Sequence, residues 1–148
     1  MEQRVSLITL GVADLPRAIA FYEGLGWQNV SQEEGIAAFN LIGQTIGLYP
    51  WENLAGDMGV NPDQFHMPRS TLGYNVREAH EIDAVIDLAR SLGATILREP
   101  HDVFWGGRTS YFSDLDGHIW EVGHNPFSPL RASDGAFRWG GGYSDDSE

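Results

Sequence analysis

The chain repeats itself. A short apolar strand over Leu7–Val12 leads to Asp14, then to a helical run carrying Ala18, Phe21, Tyr22 and Leu25, and then to Leu25-Gly26. The same order returns as a strand over Leu72–Val76, a helical run with Ile82, Val85, Ile86 and Ala89, and Leu92-Gly93. Each copy is followed by a hairpin with a glycine in its turn, Gly43 in the first and Gly117 in the second. The spacing between copies grows from 64 residues (Val12 to Val76) to 67 (Gly26 to Gly93) and 74 (Gly43 to Gly117), the drift that loop insertions produce. One strand-helix-strands unit cannot bury its own apolar face, so the repetition predicts two equivalent modules whose matching positions surround a shared cavity.

Within the first copy, the two-residue period of a strand puts Ile8, Leu10 and Val12 under the helix and Val5, Leu7, Thr9 and Gly11 on the other face. Asp14 is placed to cap the helix, Pro16 is tolerated in its first turn, and Gly24 and Gly26 end it. Strands are expected near Trp27–Ser31, Ile36–Leu41 and Thr45–Tyr49, with Ile42-Gly43-Gln44 as a turn. A loop rich in Gly, Pro, Asn and Asp over Pro50–Arg69 then serves as the linker. The second copy predicts a helix over His80–Leu92, a strand over Thr95–Arg98, a loop over Glu99–Trp105 and a strand over Arg108–Ser113. The turn Asp114-Leu115-Asp116-Gly117 and a last strand over His118–Val122 complete it. Modules at about 4–50 and 70–124, joined by the 51–69 linker, form one domain over 1–126. The tail, 127–148, loses periodicity and is expected to be mobile unless Phe137, Trp139 and Tyr143 dock it.

Composition removes several function classes. Cysteine is absent, which excludes disulfides, thiolate metal sites and cysteine nucleophiles. All nine cations are Arg, so no lysine can form a Schiff base. A formal charge of −12 opposes a nucleic-acid partner and accommodates a neutral or cationic small ligand. There is neither a long apolar run nor a basic, apolar leader, so no membrane partner is expected and a soluble cytoplasmic protein is. Trp105-Gly106-Gly107-Arg108 lacks the Gly-Lys-Ser/Thr ending of a phosphate loop, and no Gly-x-Ser-x-Gly elbow occurs.

Val12-Ala13-Asp14-Leu15 with Ala18, Phe21-Tyr22 and Leu25-Gly26-Trp27 resembles the first module of the vicinal oxygen chelate superfamily. The string from Asp114 to Val122, followed by Asn125-Pro126, resembles its closing hairpin. This superfamily comprises glyoxalase I, extradiol dioxygenases, fosfomycin-resistance enzymes, methylmalonyl-CoA epimerases and bleomycin-resistance proteins. The resemblance implies an α+β fold of two βαβββ modules whose curved mixed sheets enclose a cavity, commonly as a homodimer. It also implies a divalent metal held from the first and last strand of each module. Carried over residue by residue, the ligand positions are Leu7, Gly47, Thr71 and Glu121, of which Glu121 alone has an ordinary donor. A stable divalent site needs at least three good donors, so neither a metal nor another cofactor is expected.

Glu121 is therefore the best candidate for a catalytic group, with Arg108 on the preceding strand as its expected ionic partner or as an anion anchor. The retained structural salt bridge is the competing reading. Phe39, Tyr49, Phe104, Trp105 and Tyr111 lie on or beside strands expected to line the cavity, as ligand-stacking or core-filling groups. Trp120 alternates with Glu121 and should pack beneath a helix. His66, His80, His101, His118 and His124 fit no metal spacing; His118 suits the turn, and His66 and His101 sit in loops, either over the cavity or as solvated loop histidines, the commoner outcome. The function expected is the binding of a small organic molecule in a cavity with a degenerate metal site. The alternative is a metal-dependent lyase, isomerase or dioxygenase of glyoxalase type, with Glu121 and loop histidines as ligands; a third reading is a protein acting through oligomer contacts.

Overall fold

The computed structural model describes residues 3, 5–59, 61–64, 71–141 and 143. The fold is α+β, with two mixed sheets belonging to two compact units. Unit 1 comprises Met1–Arg69 with Leu115–His118, and unit 2 comprises Ser70–Asp114 with Ile119–Glu148.

Unit 1 runs β1 (Ile8–Val12), α1 (Leu15–Gly24), β2 (Ala37–Leu41), β3 (Gln44–Pro50) and α2 (Trp51–Met58), with a short 3-10 turn at Pro62–Gln64. Its strands are ordered β1-β3-β2, with β1 parallel and β2 antiparallel to β3. Asp14 caps α1 through a 3.0 Å bond from Arg17 N to its Oδ1. At the other end Gly26, at φ +105°, lets Trp27 N return to Tyr22 O at 3.2 Å. Only glycine enters that left-handed conformation freely, so Leu25-Gly26 is a helix stop. Gly93, at φ +96°, does the same after α3, with Ala94 N bonded to Ala89 O at 3.0 Å. The repeated Leu-Gly pair thus encodes a repeated cap.

As the alternation predicts, Leu10 and Val12 are buried, in one face with Leu48, Ala37, Ile46 and Phe39. Phe39 closes an aromatic cluster in which Tyr22 stacks on Trp27 at 5.1 Å and both rings lie within 6 Å of it. Two expectations are corrected here. Trp27–Ser31 is not a strand: Val30 N bonds Ala38 O at 2.8 Å, but Ala38 N is taken at 3.1 Å by the side chain of Asn29 instead of a backbone carbonyl. That side-chain substitution stops the ladder after one bond. The stretch expected as a plain loop after Pro50 begins with α2, whose Trp51, Leu54 and Ala55 recur at helical spacing; its Gly, Asn and Asp content disguised the pattern.

Unit 2 runs β4 (Leu72–Asn75), α3 (Glu81–Ser91), β5 (Thr95–Asp102), β6 (Arg108–Ser113) and β7 (Ile119–His124). The order is β4-β7-β6-β5, with β4 and β7 parallel and the other pairs antiparallel. Ile82, Ile86 and Ala89 of α3 are buried, as are Phe112, Trp120 and Val122 on one face of the sheet. Trp120 stacks on Phe112 at 6.4 Å, so it packs as expected of a residue alternating with Glu121. The expected loop from Glu99 is corrected: β5 continues to Asp102, interrupted by two register shifts.

The tail folds against unit 2. Arg77 donates to Arg131 O at 3.1 Å, Arg131 Nε donates to Asp134 Oδ1 at 2.8 Å, and Ser128 Oγ accepts from Gly140 N at 2.8 Å. Tyr143 is buried, with its hydroxyl accepting from Arg138 N at 2.8 Å and donating to Ala136 O at 2.6 Å. Bonding to Arg131, then to Ala136 N, holds the Asp134 carboxyl well below the usual carboxylate range. Of the three aromatic residues expected to dock the tail, Tyr143 is buried, while Phe137 and Trp139 remain exposed.

Candidate functional site

The parity of β6 decides which groups meet Glu121. Across β7 and β6, Glu121 stands opposite Tyr111, whereas Arg108 stands opposite His124. Side chains alternate between the faces, so Arg108, Ser110 and Phe112 point to the α3 side and Thr109 and Tyr111 to the other. Arg108 accordingly binds Asp102 Oδ1 at 3.1 Å and Asp83 on α3 at 3.3 Å. Those two carboxylates, Asp102 first, raise its already high pKa. The expected Arg108–Glu121 pair does not form: an odd separation from Tyr111 places the two on opposite faces.

Glu121 instead stands opposite Tyr111, near enough for its charge to act on the phenol. Partial burial of the phenol and the Glu121 charge both raise the Tyr111 pKa above its ordinary 10.0, and nearby Arg98 opposes them. Arg98 is the residue that sequence reasoning missed. It is the partner of Tyr111 on β5, brought there by a register shift between Ile96 and Arg98. Pro100, which lacks an N–H, lies within the second shift of this edge strand and was the available signal of a broken ladder. Around the same face lie Thr109 and His101, whose Oγ1 and Nε2 are 3.4 Å apart, and Gly73, opposite Glu121.

Of the other expected ligand-binding residues, Phe39 and Tyr49 belong to unit 1 and Phe104 and Trp105 to unit 2. Phe39 is 1% exposed in the aromatic core of unit 1, where it fills the core. Tyr49 is half-buried opposite Gly11. Phe104 is fully exposed in the β5–β6 turn, and the ring of Trp105 folds over Gly107. His118 bonds Gly11 O at 2.8 Å, in keeping with a turn role, beside Asp116 Oδ1, which accepts from Ala13 N at 2.8 Å. His101 lies on β5 rather than in a loop, with Nδ1 at 2.9 Å from Glu99 O. His66 lies outside the described residues.

The residues at the superfamily's ligand positions do not fit a divalent metal. A Cβ built on Gly47 would lie 3.6 Å from Leu7 Cδ1 and 3.7 Å from Ala37 O and Thr9 Oγ1, so that part of unit 1's sheet offers neither carboxylate nor imidazole. Thr71 is exposed just ahead of β4, and Glu121 stands opposite Tyr111. Among the described residues no three His, Asp or Glu side chains converge.

Residues 4–122 match the family model for the Glyoxalase/Bleomycin resistance protein/Dioxygenase superfamily. A glyoxalase-related enzyme from Fulvimarina pelagi is 33% identical, with a TM-score of 0.83 over 93% of this chain and 98% of its own. A lactoylglutathione lyase from Agrobacterium tumefaciens shares the fold at 20% identity and a TM-score of 0.65, over 84% of this chain and 96% of its own. A fosfomycin resistance protein from Listeria monocytogenes shares it at 21% and 0.66, over 84% and 95%. The duplicated strand-helix-strands pattern, the two mixed sheets and these matches together establish that the chain belongs to the Glyoxalase/Bleomycin resistance protein/Dioxygenase superfamily, the vicinal oxygen chelate proteins.

Proposed function

We propose that this protein binds a small organic molecule at the Glu121 face of its second sheet, without a metal of the superfamily type. The observation that carries the reading is the place of Glu121 opposite Tyr111 on one face of the sheet. The one carboxylate retained among the ligand positions stands beside a phenol on a half-buried surface, where a ligand can still reach it. Leu7, Gly47 and Thr71 supply no carboxylate or imidazole to complete a donor set around it.

The test pairs metal content with ligand-dependent stability. Protein purified without a histidine tag is assayed for divalent metals and melted with and without chelator, then screened against a panel of small organic compounds. Saturable stabilisation by a compound, lost in Glu121→Gln and insensitive to chelator, is the expected result. Near-stoichiometric metal with chelator-sensitive stability would overturn the reading in favour of a metal-dependent enzyme.

A further inference from the structure

Four residues of the second sheet lie in register across all four of its strands: Gly73 opposite Glu121, Glu121 opposite Tyr111, and Tyr111 opposite Arg98. Read along that row, the surface offers open space, a carboxylate, a phenol and a guanidinium. The opening is real at the Gly73 end, where a Cβ would meet no atom within 4 Å.

Arg98 reaches this row through a local device. Strict alternation would put it on the same side as Ile96, which pairs with Phe112 on the α3 face. The register shift between Ile96 and Arg98 turns it to the Tyr111 side, the re-aiming that β-bulges perform. Ser110, fully buried, holds the distorted strand by donating to Arg98 O at 2.7 Å. The resulting charges are not spent on each other. Arg90, Arg108 and Arg131 each have a carboxylate partner, but neither Arg98 nor Glu121 makes an ion pair among the described residues. A cation and an anion thus flank Tyr111 on one face.

We propose that this row binds a small zwitterion, with an ammonium against Glu121 beside Gly73, a planar body over Tyr111 and a carboxylate on Arg98. This deepens the binding function proposed above and rests on it. Glu121 and Arg98 lie two strands apart, about 10 Å between their backbones, with Tyr111 between them, which suits a spacer of one ring. The guanidinium fork matches a carboxylate in two parallel hydrogen bonds, and the ring face of the phenol suits a flat apolar body. In a chain of net charge −12, Arg98 supplies the local cation that an anionic group requires.

The test titrates wild-type protein, Glu121→Gln and Arg98→Met with four probes, by calorimetry or ligand-observed NMR: 4-(aminomethyl)benzoate, benzylamine, benzoate and benzyl alcohol. Circular dichroism melts establish that each variant is folded. The zwitterion is expected to bind wild type about ten-fold tighter than either charged half, the size of one charge-assisted hydrogen bond. Glu121→Gln should weaken the zwitterion and benzylamine but not benzoate; Arg98→Met should weaken the zwitterion and benzoate but not benzylamine. Benzyl alcohol binding as tightly as the zwitterion, with both variants unaffected, would overturn the charge row and leave the binding function standing. No binding by any probe overturns the row as well, and silence in the broader compound panel would then remove the binding function with it.

Discussion

At the scale of the residue, Tyr111 couples the candidate site to pH. Its pKa is raised by partial burial and by the neighbouring Glu121 charge, so the folded state retains the phenolic proton more firmly than the unfolded chain does. A group whose folded pKa lies above its unfolded value stabilises fully below the unfolded value, near 10.0, and loses that contribution as pH rises through the folded one. Tyr111→Phe should therefore narrow its stability deficit relative to wild type above about pH 10, seen in paired denaturant midpoints from neutral to alkaline pH. A deficit that stays constant across that range would break the assigned Tyr111–Glu121 link. Glu121 was legible through the family resemblance of the closing hairpin, and the repeat supplied its counterpart, Gly47. Arg98 was not, because its face depends on a bulge, and a bulge leaves only the weak mark of a proline in a strand.

At the scale of the element, α2 and β1 show how a sequence can state a contact without revealing it. A Cβ on Gly11 would overlap the Trp51 ring and come within 3.3 Å of Leu54 Cδ2, so β1 must carry glycine where α2 crosses it. Gly11→Ala should cost about 1–3 kcal/mol by overpacking, measured as a shift of the unfolding midpoint; an unchanged midpoint would mean that α2 does not lie on β1 as described. Gly11 and the apolar spacing of Trp51, Leu54 and Ala55 were both visible in the sequence, but nothing local joined them. The caps were different. Asp14, Gly26 and Gly93 act on backbone groups within a few residues, and such local bonds are readable from sequence alone.

For the whole molecule, charge is the dominant unbalanced quantity. Twenty-one acidic residues face nine arginines, and ion pairs such as Arg90–Glu99 at 2.6 Å offset only part of the excess. Self-repulsion opposes compactness, and raising ionic strength from about 0.01 M to about 0.1 M shortens the screening length from about 30 Å to about 10 Å. The melting temperature should therefore rise over that range of sodium chloride in a calorimetric scan. A fall would mean that favourable ion pairs outweigh the net repulsion. Among the described residues no helix is long and apolar enough to cross a membrane.

The repeat, the helix caps and the alternation of β1 were determined by the sequence itself, because each rests on spacing along the chain, and the family resemblance of the closing hairpin marked Glu121. Which groups stand beside Glu121 was decided only by tertiary structure. Arg108 is nearer to Tyr111 in the chain than Arg98 is, yet strand parity sends it to Asp83 and Asp102 while a bulge in β5 turns Arg98 toward Tyr111. A one-residue change of register exchanges the two faces of a strand, and register is set by pairing between segments that the linear order does not encode locally.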